Sequence, residues 1–155
     1  MRCVPIKKLS EYDYTLFQVF QFMIGNVDWL IENCKNAKVL QMKDSTLIPI
    51  PYDFDFTGMV NPSYAVPAAH FKQKNVTDRY FLGHKKEMKD LLPVFELFKE
   101  KKEDFITIIN SFEYLPKKER KAMVNYLKSF YRTINRSSQI KKIFIHDMGD
   151  MKELY

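Results

Sequence analysis

Hydrophobic residues recur at helical spacing in the first part of the chain. Leu16, Phe17 and Phe20 are followed by Met23 and Ile24, and this spacing of three and four residues predicts one α-helix. Apolar and aromatic side chains lie on nearly every side of the predicted helix. We therefore expect it to be central rather than to lie on the surface.

The ends of this helix are marked by residues that favour helix boundaries. Ser10 can accept a hydrogen bond as the N-cap, and Asp13 lies at the position from which a side chain can reach back to it. Gly25 and Asn26 tolerate the left-handed conformation that commonly ends a helix. The predicted helix therefore begins after Ser10 and ends at Gly25.

The pattern then changes to one that predicts a β-hairpin. We expect a first strand from Asn36 to Lys43, a turn at Asp44-Ser45 and a second strand from Thr46 to Tyr52. Pro49 and Pro51 lack a backbone N–H, so the edge of the second strand that carries them should be unpaired. The backbone groups that face the first strand are then those of Ile48, Ile50 and Tyr52.

The rest of the chain is irregular and then helical. Residues from Asp53 to about Val76 contain several turn signals and no clear period. Further helices are predicted from Lys85 to about Phe98 (with Pro93 as a kink or break), from Glu103 to Phe112, from Pro116 to about Thr133, and from Gln139 to His146. The predicted class is α+β and predominantly α-helical, with a single domain over residues 1–147 and a polar tail over residues 148–155.

Composition narrows the possible functions. The chain has a formal net charge of +6, but its lysines are spread along the sequence, which favours solvated helix faces over nucleic-acid binding. The low glycine count, 4 residues in the whole chain, argues against a glycine-rich phosphate loop. We expect no signal peptide at the N-terminus, and the sequence has no apolar run of the roughly 18 residues that a membrane span needs. The two cysteines do not define a redox compartment, so the localisation stays open.

Four polar residues at the ends of the predicted hairpin form the main candidate for chemistry. Asp28 follows the first helix, Asn36 opens the hairpin, and Asp53 and Asp55 close it. A hairpin brings its two ends together, so Asn36 and Asp53 should be neighbours. Carboxylate and amide oxygens are typical ligands of a hard cation such as Mg²⁺. The plain alternative is that Asp28 caps a helix over residues 29–34 and that Asp53 and Asp55 are turn residues.

Two stretches carry a family resemblance. The segment from Phe20 to Trp29, followed by Asn36 to Leu40, resembles the catalytic loop of CotH-like and, more distantly, HipA-like atypical kinases. The segment from Ile48 to Asp55 resembles the metal-binding segment of the same family. The likeness is to Bacteroidetes-type proteins of this group, covers Ile24 to Pro67 in outline and continues weakly through the later helices.

The resemblance implies a role for each of the four polar residues. Asp28 matches the catalytic-loop aspartate, Asn36 the metal-binding asparagine, Asp53 the main metal aspartate, and Asp55 a second metal candidate. Asn33 competes with Asn36, because it lies five residues after Asp28, as in ordinary protein kinases. The sequence also departs from the family, which often has a histidine before the asparagine where this chain has Lys35.

The implied activity is phosphoryl transfer from ATP, with Mg²⁺ or Mn²⁺, to a protein or a small molecule. Only 27 residues precede Asp28, and they form one predicted helix without the lysine-bearing sheet of the family's N-terminal lobe. We therefore expect a kinase-like C-lobe that is inactive alone and needs a missing N-terminal lobe or a partner chain. An intact protein of this kind could be exported. The alternative function is a non-catalytic helical interaction module.

Overall fold

The computed structural model of the chain describes residues 4–67, 71, 73–84 and 86–145. The chain forms two compact units, residues 1–82 and 83–155. The first contains helix α1 (Glu11–Ile24) and strands β1 (Ala37–Gln41) and β2 (Leu47–Pro51). The second contains helices α2 (Met88–Glu100), α3 (Lys102–Ser111), α4 (Lys117–Ile134) and α5 (Ser137–Ile140). The class is therefore α+β, and the predicted domain boundary at residue 147 stays a prediction.

Both predicted ends of α1 are confirmed. The Ser10 side chain accepts a hydrogen bond from the backbone N–H of Asp13 at 3.3 Å. The predicted reach of Asp13 back to Ser10 is not seen, because the Ser10 N–H donates to the Leu47 carbonyl of β2 at 2.9 Å instead. Gly25 ends the helix with φ 70°, and the N–H of Asn26 returns to the Gln21 carbonyl at 2.9 Å.

The predicted hairpin is present, with each strand shorter than expected. Ala37 pairs with Pro51 and Gln41 with Leu47 in an antiparallel ladder. The N–H of Tyr52 donates to Asn36, as predicted, so Pro49 and Pro51 fall at positions whose missing N–H would point away from β1. The outer edge of β2 is not wholly unpaired, however, because Leu47 accepts the bond from Ser10.

Helix α1 contributes more residues to the core of the first unit than any other element. Nine of its residues are buried, including Phe17, Phe22 and Met23. Phe17 packs edge-to-face on Trp29 with ring centroids 4.9 Å apart. Each fully buried large apolar side chain contributes about 1.5–3 kcal/mol. The buried apolar residues of α1 therefore stabilise this unit substantially, in keeping with the central position expected for the helix.

The second unit is built on the buried stripes of two long helices. The buried residues are Leu91, Val94, Phe95 and Phe98 of α2, and Val124, Leu127, Phe130, Tyr131 and Ile134 of α4. The Tyr131 hydroxyl donates to the Phe98 carbonyl at 2.9 Å, which ties the two helices together. Burial raises the pKa of Tyr131 to about 12.

The helix boundaries of the second unit differ from the predictions, most clearly at the start of α2 and at the last helix. Helix α2 begins at Met88, not near Lys85, which lies outside the described residues, and it continues through Pro93 without a break. Pro93 is exposed, so water can bond the carbonyl that its missing N–H leaves unpaired. The last helix is short, Ser137–Ile140, and the chain continues as a π-helical turn over Lys141–Ile145. Within the described ranges, no helix combines the length and apolar character that a membrane crossing requires.

Replacing Gly25 with alanine should destabilise the first unit. Gly25 has φ 70°, a conformation that costs a residue with a Cβ atom about 1–2 kcal/mol. We expect Gly25→Ala to lower the free energy of unfolding by that amount in urea titrations. Gly83→Ala is the matched control. The φ angle of Gly83 is not positive, so alanine can adopt it, and we expect little change in the free energy of unfolding. Equal effects of the two substitutions would contradict this account of the helix end.

Candidate functional site

The position of Asp28 is set by a buried asparagine just after α1. Asn26 is 1% exposed and its side-chain amide donates to Gln21 Oε1 at 3.0 Å. Its Oδ1 accepts the backbone N–H of Asp28 at 2.8 Å, and its carbonyl accepts Trp29 Nε1–H at 3.2 Å. These bonds pair the side chain and the carbonyl of the buried Asn26, and they fix where Asp28 leaves the core.

A tight turn then returns the chain to Asp28. The backbones of Leu30 and Lys35 exchange two hydrogen bonds, of 2.9 and 2.8 Å. Cys34 and Asn36 adopt positive φ values of 54° and 50°, which reverse the chain direction at this point. Asp28 therefore does not cap a helix over residues 29–34, because those residues form a turn and an isolated bridge.

Asn36 is bonded directly to Asp28. Its Nδ2 donates to the Asp28 carbonyl at 2.7 Å and to Asp28 Oδ2 at 2.9 Å. Both partners are acceptors, so the amide nitrogen must face them and Oδ1 must point elsewhere. Asn33 is exposed and makes no hydrogen bond to Asp28 among the described residues. Of the two candidate asparagines, the structure therefore brings Asn36 to Asp28.

Lys35 supplies a positive charge on the other side of Asp28. Its Nζ forms an ion pair with Asp28 Oδ1, while Asn36 holds Oδ2. Both side chains are partly exposed, at 56% for Lys35 and 35% for Asp28, so water weakens the attraction. The pair and the amide bonds together orient both carboxylate oxygens of Asp28.

The hairpin brings Asp53 to the same region. The Asn36 carbonyl accepts the N–H of Tyr52 at 3.2 Å, so Asp53 follows the last residue paired with the Asn36 end of β1. Asp53 has φ 62°, which costs about 1–2 kcal/mol in a residue other than glycine. Asn36, just before β1, and Asp53, just after β2, thus both have left-handed backbone conformations at the open end of the hairpin.

Asp53 and Asp55 form an exposed pair of carboxylates. Hydrogen bonding to Asp55 and the negative charge of Asp55 raise the pKa of Asp53, with smaller contributions from desolvation and from the charge of Asp28. All three carboxylates therefore lie within electrostatic range of one another. The group carries more negative charge than Lys35 alone can offset.

Aromatic contacts hold the acidic segment in place. Phe54, between the two aspartates, packs edge-to-face on Phe20 of α1 with ring centroids 5.8 Å apart. Phe56 packs on Tyr64 at 5.5 Å, and the Tyr64 hydroxyl donates to Asp55 Oδ2 at 3.1 Å. Partial desolvation, the bond to Asp55 and nearby negative charge raise the pKa of Tyr64. The bond from Tyr64 to Asp55 carries no sequence signal.

The side-chain oxygens of Asn36, Asp53 and Asp55 are of the chemical type that binds a hard cation. Among the described residues, no three His, Cys, Asp or Glu side chains lie close enough together to hold a metal ion. Mg²⁺, however, is commonly held by one or two carboxylates together with water and substrate phosphates. The Asp53–Asp55 pair and the unbonded Oδ1 of Asn36 meet that smaller requirement in chemical type.

Comparisons of the chain with models of protein families, with curated proteins and with solved structures found no match in any of the three.

Neutralising Asp53 should stabilise the protein at neutral pH. The pKa of Asp53 is raised above 3.8 in the folded state, so its ionisation weakens the fold as pH rises through that pKa. We expect Asp53→Asn to have a higher melting temperature than the natural chain at neutral pH. The difference should vanish below pH 3.8, where Asp53 is protonated in both the folded and unfolded states.

Glu32→Gln is the control for this experiment. Glu32 is an exposed acid of the same unit outside the pair, and its substitution removes the same charge. Thermal unfolding followed by circular dichroism should show no comparable gain for Glu32→Gln. A lower melting temperature for Asp53→Asn at neutral pH would refute repulsion as the dominant effect at this position.

Proposed function

We propose that the first unit carries the metal site of a kinase-like C-lobe that takes part in phosphoryl transfer from a nucleotide. The acceptor would be a protein or a small molecule. In this proposal the hairpin is the element that carries the metal segment, as in the CotH-like kinases that the sequence resembles. The isolated chain would be inactive without further structure that clamps the nucleotide.

The observation that carries the proposal is the fixed Asp28–Asn36 pair beside the Asp53–Asp55 carboxylates. Asn36 Nδ2 is engaged by Asp28 at 2.7 and 2.9 Å, which leaves the amide oxygen for a cation. The raised pKa of Asp53 reports an excess of negative charge at this place. A divalent cation relieves such an excess more effectively than one lysine that is already paired.

Each residue has a distinct proposed role. Asp28 would orient the hydroxyl of the acceptor, with Lys35 and Asn36 fixing its two oxygens. Asn36 Oδ1, Asp53 and Asp55 would hold Mg²⁺ or Mn²⁺. Bound metal supplies charge neutralisation at the nucleotide phosphates. Tyr64 would keep the Asp55 carboxylate in one orientation through its hydroxyl.

Nucleotide binding would need a second structural element. The described residues before Asp28 form a 3₁₀ turn over Ile6–Lys8 and helix α1, and neither is a lysine-bearing sheet. We propose that an N-terminal lobe or a partner chain supplies this part of the ATP site. Affinity of this chain alone for ATP would then depend on metal-bridged phosphates and would be weak.

An exposed apolar face of the hairpin favours a second candidate function. Leu40, Met42 and Ile50 are 50%, 45% and 42% exposed, and the neighbouring Tyr52 is 38% exposed. Exposed apolar residues clustered on one sheet face are typical of interaction surfaces. A non-catalytic interaction module would use this face and would not require a metal ion.

Calorimetry with Mg²⁺ and Mn²⁺ separates the two candidates. The metal-site proposal predicts weak binding by the natural chain that becomes tighter with ATP, because nucleotide phosphates complete the coordination. Asp53→Ala should abolish the signal, since it removes a metal-ligating carboxylate. Glu32→Gln should bind as the natural chain does.

Two results would favour the interaction module. One is the absence of metal and nucleotide binding at millimolar concentration. The other is metal binding that Asp53→Ala leaves unchanged, which would place any bound cation elsewhere. In either case the metal roles proposed for Asn36, Asp53 and Asp55 would be withdrawn for this chain.

A further inference from the structure

Helix α4 presents an exposed basic face. Lys117, Lys118, Lys121, Lys128 and Arg132 are all exposed, and at 100° per residue they fall within an arc of about 100° around the helix. They extend over about 22 Å along the axis, at 1.5 Å per residue. We call these five residues the basic face of α4.

The residues of the basic face take no part in the ion pairs seen among the described residues of the second unit. Those ion pairs involve lysines of α2, of α3 and of the junction between these two helices. Each of these lysines pairs with an acid one to three residues away in sequence. None of the five residues has an ion pair among the described residues. The only acid in α4, Glu119, lies about 100° around the helix from the nearest of them.

The other side of α4 is fixed in the core. Leu127 and Phe130 are fully buried, and Ile134 is 2% exposed. The basic face therefore holds a constant direction within its unit. Asn125 is the other exposed residue inside the arc, and the arc contains no large apolar side chain that could enter a lipid surface.

Two exposed aromatic side chains precede the basic face. Phe112 is 55% exposed and Tyr114 is 93% exposed, and their rings meet edge-to-face at 5.8 Å. Tyr114 lies three residues before Lys117, the first residue of the face. A nearly fully exposed ring beside a row of cations is the combination that binds successive bases and phosphates of a single strand.

We propose that the basic face of α4 and Tyr114 bind single-stranded nucleic acid without sequence specificity. Lysine and arginine side chains contact the phosphates, and the Tyr114 ring stacks on a base. The spread of lysines along the sequence argued against such binding. Within α4, however, helical spacing places four lysines and Arg132 on one face. This site does not depend on the proposed metal site.

The experiment measures fluorescence anisotropy of labelled oligo(dT) of about 16 nucleotides, the upper end of common site sizes. A triple variant, Lys121→Gln with Lys128→Gln and Arg132→Gln, removes three phosphate contacts. We expect it to weaken binding about a hundredfold at 0.1 M salt and to reduce the slope of log K against log salt by about 2.

Matched variants separate the site from net charge. Lys8→Gln with Lys43→Gln and Lys74→Gln removes the same charge from exposed positions of the first unit and should change affinity less than threefold. Tyr114→Ala should weaken binding about tenfold, and Tyr114→Phe should keep the natural affinity because it keeps the ring.

Specific outcomes overturn the proposal. Equal losses in the two triple variants would mean that net charge alone attracts the strand. No effect of Tyr114→Ala, or tighter binding of duplex DNA of the same length, would exclude the stacking site. Equal or stronger binding to phosphatidylserine vesicles, with the same sensitivity to the α4 variant, would assign the face to anionic membranes instead.

Discussion

The hydrogen bonds from Asn36 Nδ2 to the carbonyl and the carboxylate of Asp28 hold the candidate site together. They join the segment that follows α1 to the start of the hairpin, two parts of the chain separated by a reversing turn. Because the Asn36 carbonyl also accepts the N–H of Tyr52, the same residue links both strands of the hairpin to Asp28.

Two features of Asp53 in the acidic site lower the stability of the fold. Asp53 has an unfavourable backbone conformation and a carboxyl group opposed by a neighbouring carboxylate. Such costs persist only where the surrounding structure enforces them, and they commonly occur at functional positions. Here Phe54 packs on Phe20 of α1, and the Tyr64 hydroxyl bonds to Asp55. These two contacts hold the segment that contains Asp53 in place.

Local patterns made the main elements predictable. The signals that mark α1 and the hairpin depend only on residues close in sequence, so the sequence alone locates both elements. These signals are the Ser10 cap, the Gly25 helix end and the two prolines of β2. The turn that carries Asn36 to Asp28 could not be foreseen, because it depends on a left-handed Cys34. The basic face was also missed, although its five residues lie within 16 positions of one predicted helix, because the distribution of charge along the chain does not show how residues are arranged around a helix.

Proton–nitrogen correlation spectra with added Mn²⁺ test the central claim most directly, because the bound ion broadens only nearby backbone signals. The account predicts that loss of signal intensity is strongest at Asp28, Asn36, Asp53 and Asp55 and weaker at Glu32. Loss of this pattern in Asn36→Ala would show that the amide organises the site. Broadening that is uniform over the chain, or centred on other carboxylates, would contradict it.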